Sequence, residues 1–333
     1  MKALLSREAG GPESLELVDL PDPVAGPKQV VIDIAACALN FPDLLMVADQ
    51  YQTKPPRPFI PGGEVAGVVS AVGEGVDTLQ PGDRVIAGFV LGGLAEKILV
   101  PAGGAVKIPD SMGFEEASGL IIAYGTAHHA LKDRARMKSG ETLLVLGASG
   151  GTGLAAVEVG KAMGARVVAA ASTEEKVALC MARGADSGIV YGRGPFDAEG
   201  RKALSARFKA VVGEDGADVI YDTVGGDYAE PALRAIAFEG RYLVVGFAAG
   251  EIPRIPLNLT LLKSCDIAGV FFGAWVRRHR DIYRQNLAEL MALHQAGKVR
   301  PHVSETFPLA RGGEAMGRLA TREAVGKIVV VMK

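Results

Sequence analysis

The glycine-rich run Gly147-Ala148-Ser149-Gly150-Gly151-Thr152-Gly153 is the stretch of this sequence with the clearest chemical capacity. It follows Leu143-Leu144-Val145-Leu146, whose composition is that of a buried parallel strand, and it leads into a segment of helical pattern. In that context glycine permits a tight turn and a close approach of backbone to a pyrophosphate. The start of the next helix adds unpaired N–H groups and a positive dipole end. Ser149, Gly150, Gly151 and Thr152 are therefore expected nearest the phosphates of a dinucleotide. The spacing is G-x-x-G-x-x-G rather than G-x-G-x-x-G, and a purely structural strand-to-helix turn is the alternative.

The choice of dinucleotide rests on the next strand. An NAD site places an acidic residue about twenty positions on, to hold the ribose diol. Val167-Val168-Ala169-Ala170-Ala171-Ser172 contains none. Ser172-Thr173-Glu174-Glu175 reads as a capping box, with Ser172 at the N-cap and Glu175 at the third helical position. Lys176 then falls in the first helical turn, where it can reach a 2′-phosphate as a point charge with the Ser172 hydroxyl beside it. The alternative is an ordinary surface lysine. These residues point to NADP(H).

The surrounding elements fall into two rhythms. Up to about residue 120 the chain shows short strands separated by Gly and Pro, such as Val30 to Ala36, Val65 to Val72, Arg84 to Ala87 and Glu96 to Val100. From Glu141 apolar strands alternate with amphipathic segments, the signature of βαβ units on a parallel sheet. Strands are expected at Thr142 to Leu146, Arg166 to Ala171, Asp218 to Tyr221 and Arg241 to Val245. Helices are expected up to Met163, up to Arg183 and near Tyr228 to Ala237. Pro253 and Pro256 break the pattern, a helix follows around Asp281 to Ala296, and Lys327 to Met332 closes the chain. The expected architecture is α/β: a β-rich catalytic domain from residues 1–124 and 266–333, interrupted by a doubly wound parallel-sheet domain at 125–265.

With 333 residues there is material for two domains, each with its own core. The 36 basic and 38 acidic residues nearly cancel, so the charge footprint of a nucleic-acid binder is missing. The basic run Arg277-Arg278-His279-Arg280 reads as a solvated helix start. Cys37, Cys180 and Cys265 are far apart and odd in number, which suits reduced thiols and a cytoplasmic location. Neither a signal-peptide core nor a long uninterrupted apolar stretch is present, so no membrane partner is expected.

Several motifs together carry a resemblance: Ala38-Leu39-Asn40-Phe41-Pro42-Asp43, Pro61-Gly62-Gly63-Glu64-Val65-Ala66-Gly67, Pro81-Gly82-Asp83-Arg84-Val85, Tyr124-Gly125-Thr126-Ala127, the glycine turn, and Val325-Gly326-Lys327-Ile328-Val329. Over its whole length the chain resembles the medium-chain dehydrogenase/reductase superfamily, and within it the zinc-independent quinone oxidoreductase branch. The resemblance implies a GroES-like catalytic domain, a Rossmann-type domain and a homodimer formed by edge strands. Zinc-using relatives have a cysteine at the position of Asn40, a histidine at Gly63 and a cysteine or acid at Ile122. With all three changed no metal is expected, since catalytic zinc needs about three protein ligands. His128 and His129 offer no substitute, because adjacent helical residues point apart.

The resemblance further implies hydride delivery from NADPH to a quinone or an α,β-unsaturated carbonyl, as a small-molecule substrate. It brings Asn40, Tyr51 and Thr126 to the acceptor site as catalytic candidates. Tyr51 would orient the acceptor or relay a proton, or simply pack in its loop; Asn40 is alternatively a turn residue and Thr126 a helix cap. Toward the cofactor the family brings Tyr191 at the 2′-phosphate or adenosine, Gly246, Phe247 and Ala248 at the nicotinamide amide, Phe271 and Phe272 on its opposite side, and Lys327 near the phosphates. Two further readings stay open. One is an enoyl-thioester reductase, in which Arg57 attracts an acidic handle. The other is an NADP(H)-binding protein without a main catalytic role, since a fold alone does not establish activity.

Overall fold

The structure, a computed structural model, describes residues 1–321 and 324–332. Its strands in chain order are β1 (Lys2–Leu5), β2 (Glu16–Asp19), β3 (Gln29–Ala38), β4 (Glu64–Val72), β5 (Arg84–Gly88), β6 (Lys97–Pro101), β7 (Ala105–Lys107), β8 (Thr142–Leu146), β9 (Arg166–Ala171), β10 (Ser187–Val190), β11 (Ala217–Asp222), β12 (Ile236–Val244), β13 (Asp266–Gly269), β14 (Val303–Pro308) and β15 (Lys327–Val331). Two compact units result: Met1–Ile122 with Pro301–Lys333, and Ala123–Arg300.

In the first unit the sheet runs β14-β15-β3-β4-β5-β7, with β6 also paired to β3. Only β14 and β15 run parallel; the other pairs are antiparallel. Val30, Ile32, Ile34, Val65, Val69, Val85 and Val330 belong to its buried core. The long strand β3 is the axis of the first unit's polar cluster. Its register sets Ala38 against Val329 on one side and Cys37 against Val65 on the other. The first residue of β15, Lys327, and the first residue of β4, Glu64, are thereby brought to the end of β3, where Asn40 begins the helix Phe41–Val47.

The second unit is built on a six-stranded parallel sheet of order β10-β9-β8-β11-β12-β13. The chain winds outward from β8 in one direction and from β11 in the other, so the order reverses between these two. In open parallel sheets a ligand binds outside the carboxyl ends of the strands at such a switch point.

Three expectations need correction. The second boundary lies at Arg300, not 265, because β13 is the sixth strand of the parallel sheet and carries the helices Phe272–Arg278 and Arg280–Gln295 with it. The helix expected near Tyr228 to Ala237 is only Ala229–Leu233, and β12 already starts at Ile236, where pairing with Ala217 across a register shift outweighs the local helical pattern. The second Rossmann helix is capped by Thr173 rather than Ser172: Thr173 Oγ1 accepts from Lys176 N at 3.3 Å. The frame of the capping motif is thus shifted by one residue, and Lys176, not Glu175, stands at its third helical position.

One buried carboxylate sits where the chain enters and leaves the second unit. Glu158, on the helix Gly151–Ala162, accepts a hydrogen bond from Tyr124 Oη at 2.8 Å and from Arg300 N at 2.7 Å. Arg183 closes its other oxygen at 2.9 Å. Burial pushes the Glu158 carboxyl above its usual range, opposed by these donors.

Candidate functional site

The glycine turn leaves β8 at the switch point. Gly147 has φ +68°, and a Cβ there would meet Thr223 Oγ1 at 2.4 Å. A Cβ on Gly153 would stand 2.1 Å from Gly147 O, so the helix start and the turn are in backbone contact. Ala148 N bonds Ala170 O at 3.0 Å and Gly150 N bonds Gly147 O at 3.1 Å, which holds the loop tight. Gly150 caps the helix with no side chain of its own, and a Cβ added to it would meet only Gly147 O, at 3.5 Å. Ser149 is buried, and Gly151 and Thr152 are half-buried at the helix start.

From β11, Asp222 braces the facing loop. One carboxylate oxygen accepts from Val224 N at 2.7 Å and Gly225 N at 3.0 Å, and the other from Tyr242 Oη. Burial raises the Asp222 carboxyl, with those donors pulling it back. Tyr191 is buried, 4.8 Å ring to ring from Tyr228, and its backbone N–H donates to Ala171 O at 3.0 Å. Gly246 N and Ala248 N are bonded to Asp222 O and Thr223 O, so those two N–H groups are already engaged.

Phe271 and Phe272 divide their roles. Phe271 is exposed, whereas Phe272 is buried against Gly125 and stacks on His129 at 5.6 Å. His128 Nε2 faces Glu289 at 3.1 Å and His129 Nδ1 faces Asp133 at 2.8 Å. Thr126 is buried in the short helix Gly125–His128, which Tyr124 caps. Ser172 and Lys176 lie half-buried around the turn that leaves β9.

In the first unit the register brings a second cluster together. Lys327 Nζ donates to Leu39 O at 2.9 Å, Asn40 Oδ1 at 2.7 Å and Glu64 Oε1 at 2.8 Å. Asn40 Nδ2 donates to the same Glu64 oxygen at 2.9 Å and to Ala38 O at 3.3 Å. Ile122 N donates to Glu64 Oε2 at 2.9 Å, and Asn40 N to Asp43 Oδ2 at 2.8 Å. Lys327 and Glu64 are 3% and 0% exposed. This corrects the reading of Lys327 as a phosphate contact: all three ammonium protons have acceptors inside the first unit. Both amide protons of Asn40 are used within the cluster as well.

Tyr51 is half-buried against the first unit's core. The Arg57 guanidinium donates to Ser6 Oγ and to the Met46 and Val47 carbonyls, and lies over the Phe59 ring. Sequence reasoning missed Glu64 and Asp43 as partners, although both stand inside the motifs that carried the resemblance.

Asp43 is buried and pushed up to about 7, chiefly by burial and further by the Glu64 charge, while the Asn40 N–H and the Lys327 charge oppose. A folded-state value above the unfolded one means that the folded protein binds the proton more tightly. The contribution is therefore full below about pH 4 and is lost as pH rises through 7. Relative to Asp43→Asn, the wild type should lose on the order of a few kcal/mol of stability between pH 4 and 8. Parallel pH dependences in urea titrations of the two proteins would exclude this.

Residues 26–110 match the alcohol dehydrogenase GroES-like domain family and residues 151–292 the zinc-binding dehydrogenase family. Human quinone oxidoreductase is 32% identical over 100% of this chain and 98% of its own length. The chain belongs to the medium-chain dehydrogenase/reductase superfamily, quinone oxidoreductase branch. A rat quinone oxidoreductase-like protein 2 is 37% identical over 94% of the chain and 87% of its own. The quinone oxidoreductase of Thermus thermophilus, solved also with NADPH, superposes with a TM-score of 0.84 at 35% identity and full coverage of both chains. A mycobacterial protein complexed with NADPH gives 0.90 at 30% identity, covering 99% of each.

As a member of this branch the chain is an NADPH-dependent oxidoreductase on a GroES-like and Rossmann-like fold. Its residues fit that cofactor: the turn leaves backbone, not side chain, at the switch point, and β9 ends in Ala171, followed by Ser172, with no carboxylate at the position that would repel a 2′-phosphate. No helix among the described residues is long and apolar enough to cross a membrane.

Proposed function

We propose that this chain reduces a quinone or an α,β-unsaturated carbonyl with NADPH and without a catalytic metal. The observation that carries the reading is the state of the three positions at which zinc-using relatives hold ligands. Asn40 is saturated by its own neighbours, Gly63 has no side chain, and Ile122 contributes a backbone N–H to Glu64. Among the described residues no group of three or more His, Cys, Asp or Glu is placed to hold a metal ion. Quinones and enones suit such a site because they accept hydride without a Lewis acid. The relatives named quinone oxidoreductases agree with that substrate class.

The residues divide the work by unit. Bound NADPH supplies the hydride. Ser149 to Thr152 cradle its pyrophosphate with backbone N–H groups and the helix dipole, and Gly147 and Gly153 keep the two arms of the turn in contact. Ser172 and Lys176 receive the 2′-phosphate. Lys176→Ala should raise the Kd for NADPH about tenfold and leave that for NADH unchanged, roughly the loss of one charged contact. Equal changes for both nucleotides in a fluorescence titration would remove Lys176 from the phosphate site. Gly246 to Ala248 and Phe271 flank the nicotinamide, and Tyr51 and Thr126 serve the acceptor.

An NADPH-oxidation screen over quinones, enals and enoyl-CoA esters, run on protein assayed for metals, tests the function. Turnover confined to enoyl thioesters, or dependent on added zinc, would overturn it.

The same reading includes a cytoplasmic homodimer. β13 is an edge strand, and Leu257, Leu261, Leu262, Ile267 and Phe271 around it are exposed, an apolar strip beside open ladder groups. Sedimentation as a monomer at micromolar concentration would remove the dimer.

A further inference from the structure

In the second unit the segment Asp222-Thr223-Val224-Gly225 leaves β11 at the switch point and is bonded to the turns that follow both β8 and β12. Toward β8, the Thr223 hydroxyl donates to Leu146 O at 2.9 Å, and a Cβ on Gly147 would stand 2.4 Å from the Thr223 oxygen. Toward β12 the bonds are all main chain. Val245 N and Gly246 N donate to Asp222 O at 2.9 and 3.3 Å, Ala248 N to Thr223 O at 3.0 Å and Ala249 N to Val224 O at 2.8 Å. Of the N–H groups from Val245 to Gly250, that of Phe247 alone has no acceptor among the described residues. The shape of the segment itself is set by a side chain. One Asp222 oxygen accepts from both Val224 N and Gly225 N, at 2.7 and 3.0 Å, and the other from Tyr242 Oη, with Asp222 only 3% exposed. An aspartate that bonds the N–H groups just after it defines a turn locally, and a carboxylate kept from water is costly to pull off its donors.

We propose that Asp222 is a positioning residue for the nicotinamide half of NADPH: its carboxylate fixes the turn Thr223 to Gly225, and that turn sets how far the Gly246 to Ala248 wall stands from the glycine turn. The inference rests on the reading above that Gly246 to Ala248 flank the nicotinamide, and it goes further by naming the side chain that places them. A wall held by main-chain bonds follows whatever fixes its partner segment, so a small shift of Val224 and Gly225 moves the whole of it. Hydride transfer is sensitive to such shifts, because the reacting atoms must meet in one geometry. The pyrophosphate and the adenosine are assigned to the glycine turn and the end of β9, whose Ala148–Ala170 and Gly150–Gly147 hydrogen bonds do not involve the Asp222 carboxylate. The two halves of the dinucleotide therefore respond differently to its loss.

The test is calorimetric titration of the full-length protein with NADPH and with 2′,5′-ADP, which carries the adenosine and the 2′-phosphate but no nicotinamide. Asp222→Ala should raise the Kd for NADPH about tenfold or more and that for 2′,5′-ADP less than about twofold. Asp222→Asn keeps an acceptor oxygen for the two N–H groups and should bring NADPH binding back to within about threefold of wild type. Equal losses of both ligands in Asp222→Ala, an unchanged NADPH affinity, or Asp222→Asn as weak as Asp222→Ala each overturn the proposal. Should Asp222→Ala fail to fold, Thr223→Val cuts the tie to Leu146 O at nearly constant shape. NADPH should then weaken by about threefold with 2′,5′-ADP unaffected, and the lack of that split overturns the proposal as well. Ala248→Trp separates the inference from the reading beneath it, since bulk on the nicotinamide wall should abolish NADPH binding and spare 2′,5′-ADP. If Ala248→Trp binds NADPH like the wild type, the wall is misassigned and both fall; if it behaves as expected, a missing split in Asp222→Ala sinks the inference alone.

Discussion

Gly153→Ala should raise the Kd for NADPH by about 100-fold while leaving the secondary structure in place, roughly 2.7 kcal/mol of binding free energy. The added methyl would stand 2.1 Å from Gly147 O, 2.8 Å from its carbonyl carbon and 2.9 Å from Ala148 Cα. All three are backbone atoms of the turn, so nothing can rotate aside. Relief requires the helix start to back away from the loop, and that separates the two groups of N–H donors that must meet one pyrophosphate. The turn is also coupled to its surroundings through the Ala148–Ala170 hydrogen bond. Gly317→Ala, on the helix Gly312–Ala320, is the control: a Cβ there would meet nothing within 4 Å. Similar losses in the two variants, read by nucleotide fluorescence, would show that the close contact at Gly153 is not what shapes the site.

Glu64→Ala should destabilise the protein by about 3–5 kcal/mol, the loss expected when one partner of a buried ion pair is removed. Three donors lose their acceptor together: Lys327 Nζ, Asn40 Nδ2 and Ile122 N. The ammonium would stay in the interior with only neutral oxygens around it. Glu64→Gln should lose less, since an amide oxygen can still face Lys327, although its NH2 would then meet the Ile122 N–H. Glu16→Ala, which breaks the exposed pair with Arg7, should change stability by less than about 1 kcal/mol. Denaturant titrations of the three variants check the ranking; Glu64→Ala no worse than Glu16→Ala would contradict it.

What the sequence disclosed about the fold was what local patterns encode. β8 and β9 fall on the expected residues because an apolar run ending in glycine or serine is unambiguous within a short window. Helix and strand around 229–244 were misjudged because sheet pairing, a non-local event, decided them. The same division holds for the site. The cofactor turn is contiguous and was legible. The Lys327 cluster was not, because Lys327 meets Asn40 and Glu64 across 287 and 263 residues. Only the antiparallel register of β15 on β3 brings them level. Thr173 could be told from Ser172 as the cap only by which hydroxyl the Lys176 amide met.

Glu158 has a consequence for how such a chain could arise. One oxygen of its carboxylate receives both Tyr124, the second residue inside the second unit, and Arg300, the last. The ends of that unit therefore lie within about a tyrosine's length of each other. In the other unit a Cβ on Gly119 would meet Pro301 at 3.4 Å, so the two sides of its gap are neighbours too. Each unit is thus closed where the other's chain departs. A segment with adjacent termini has been set into a break with adjacent edges, the condition under which one domain can be inserted within another without disturbing either core.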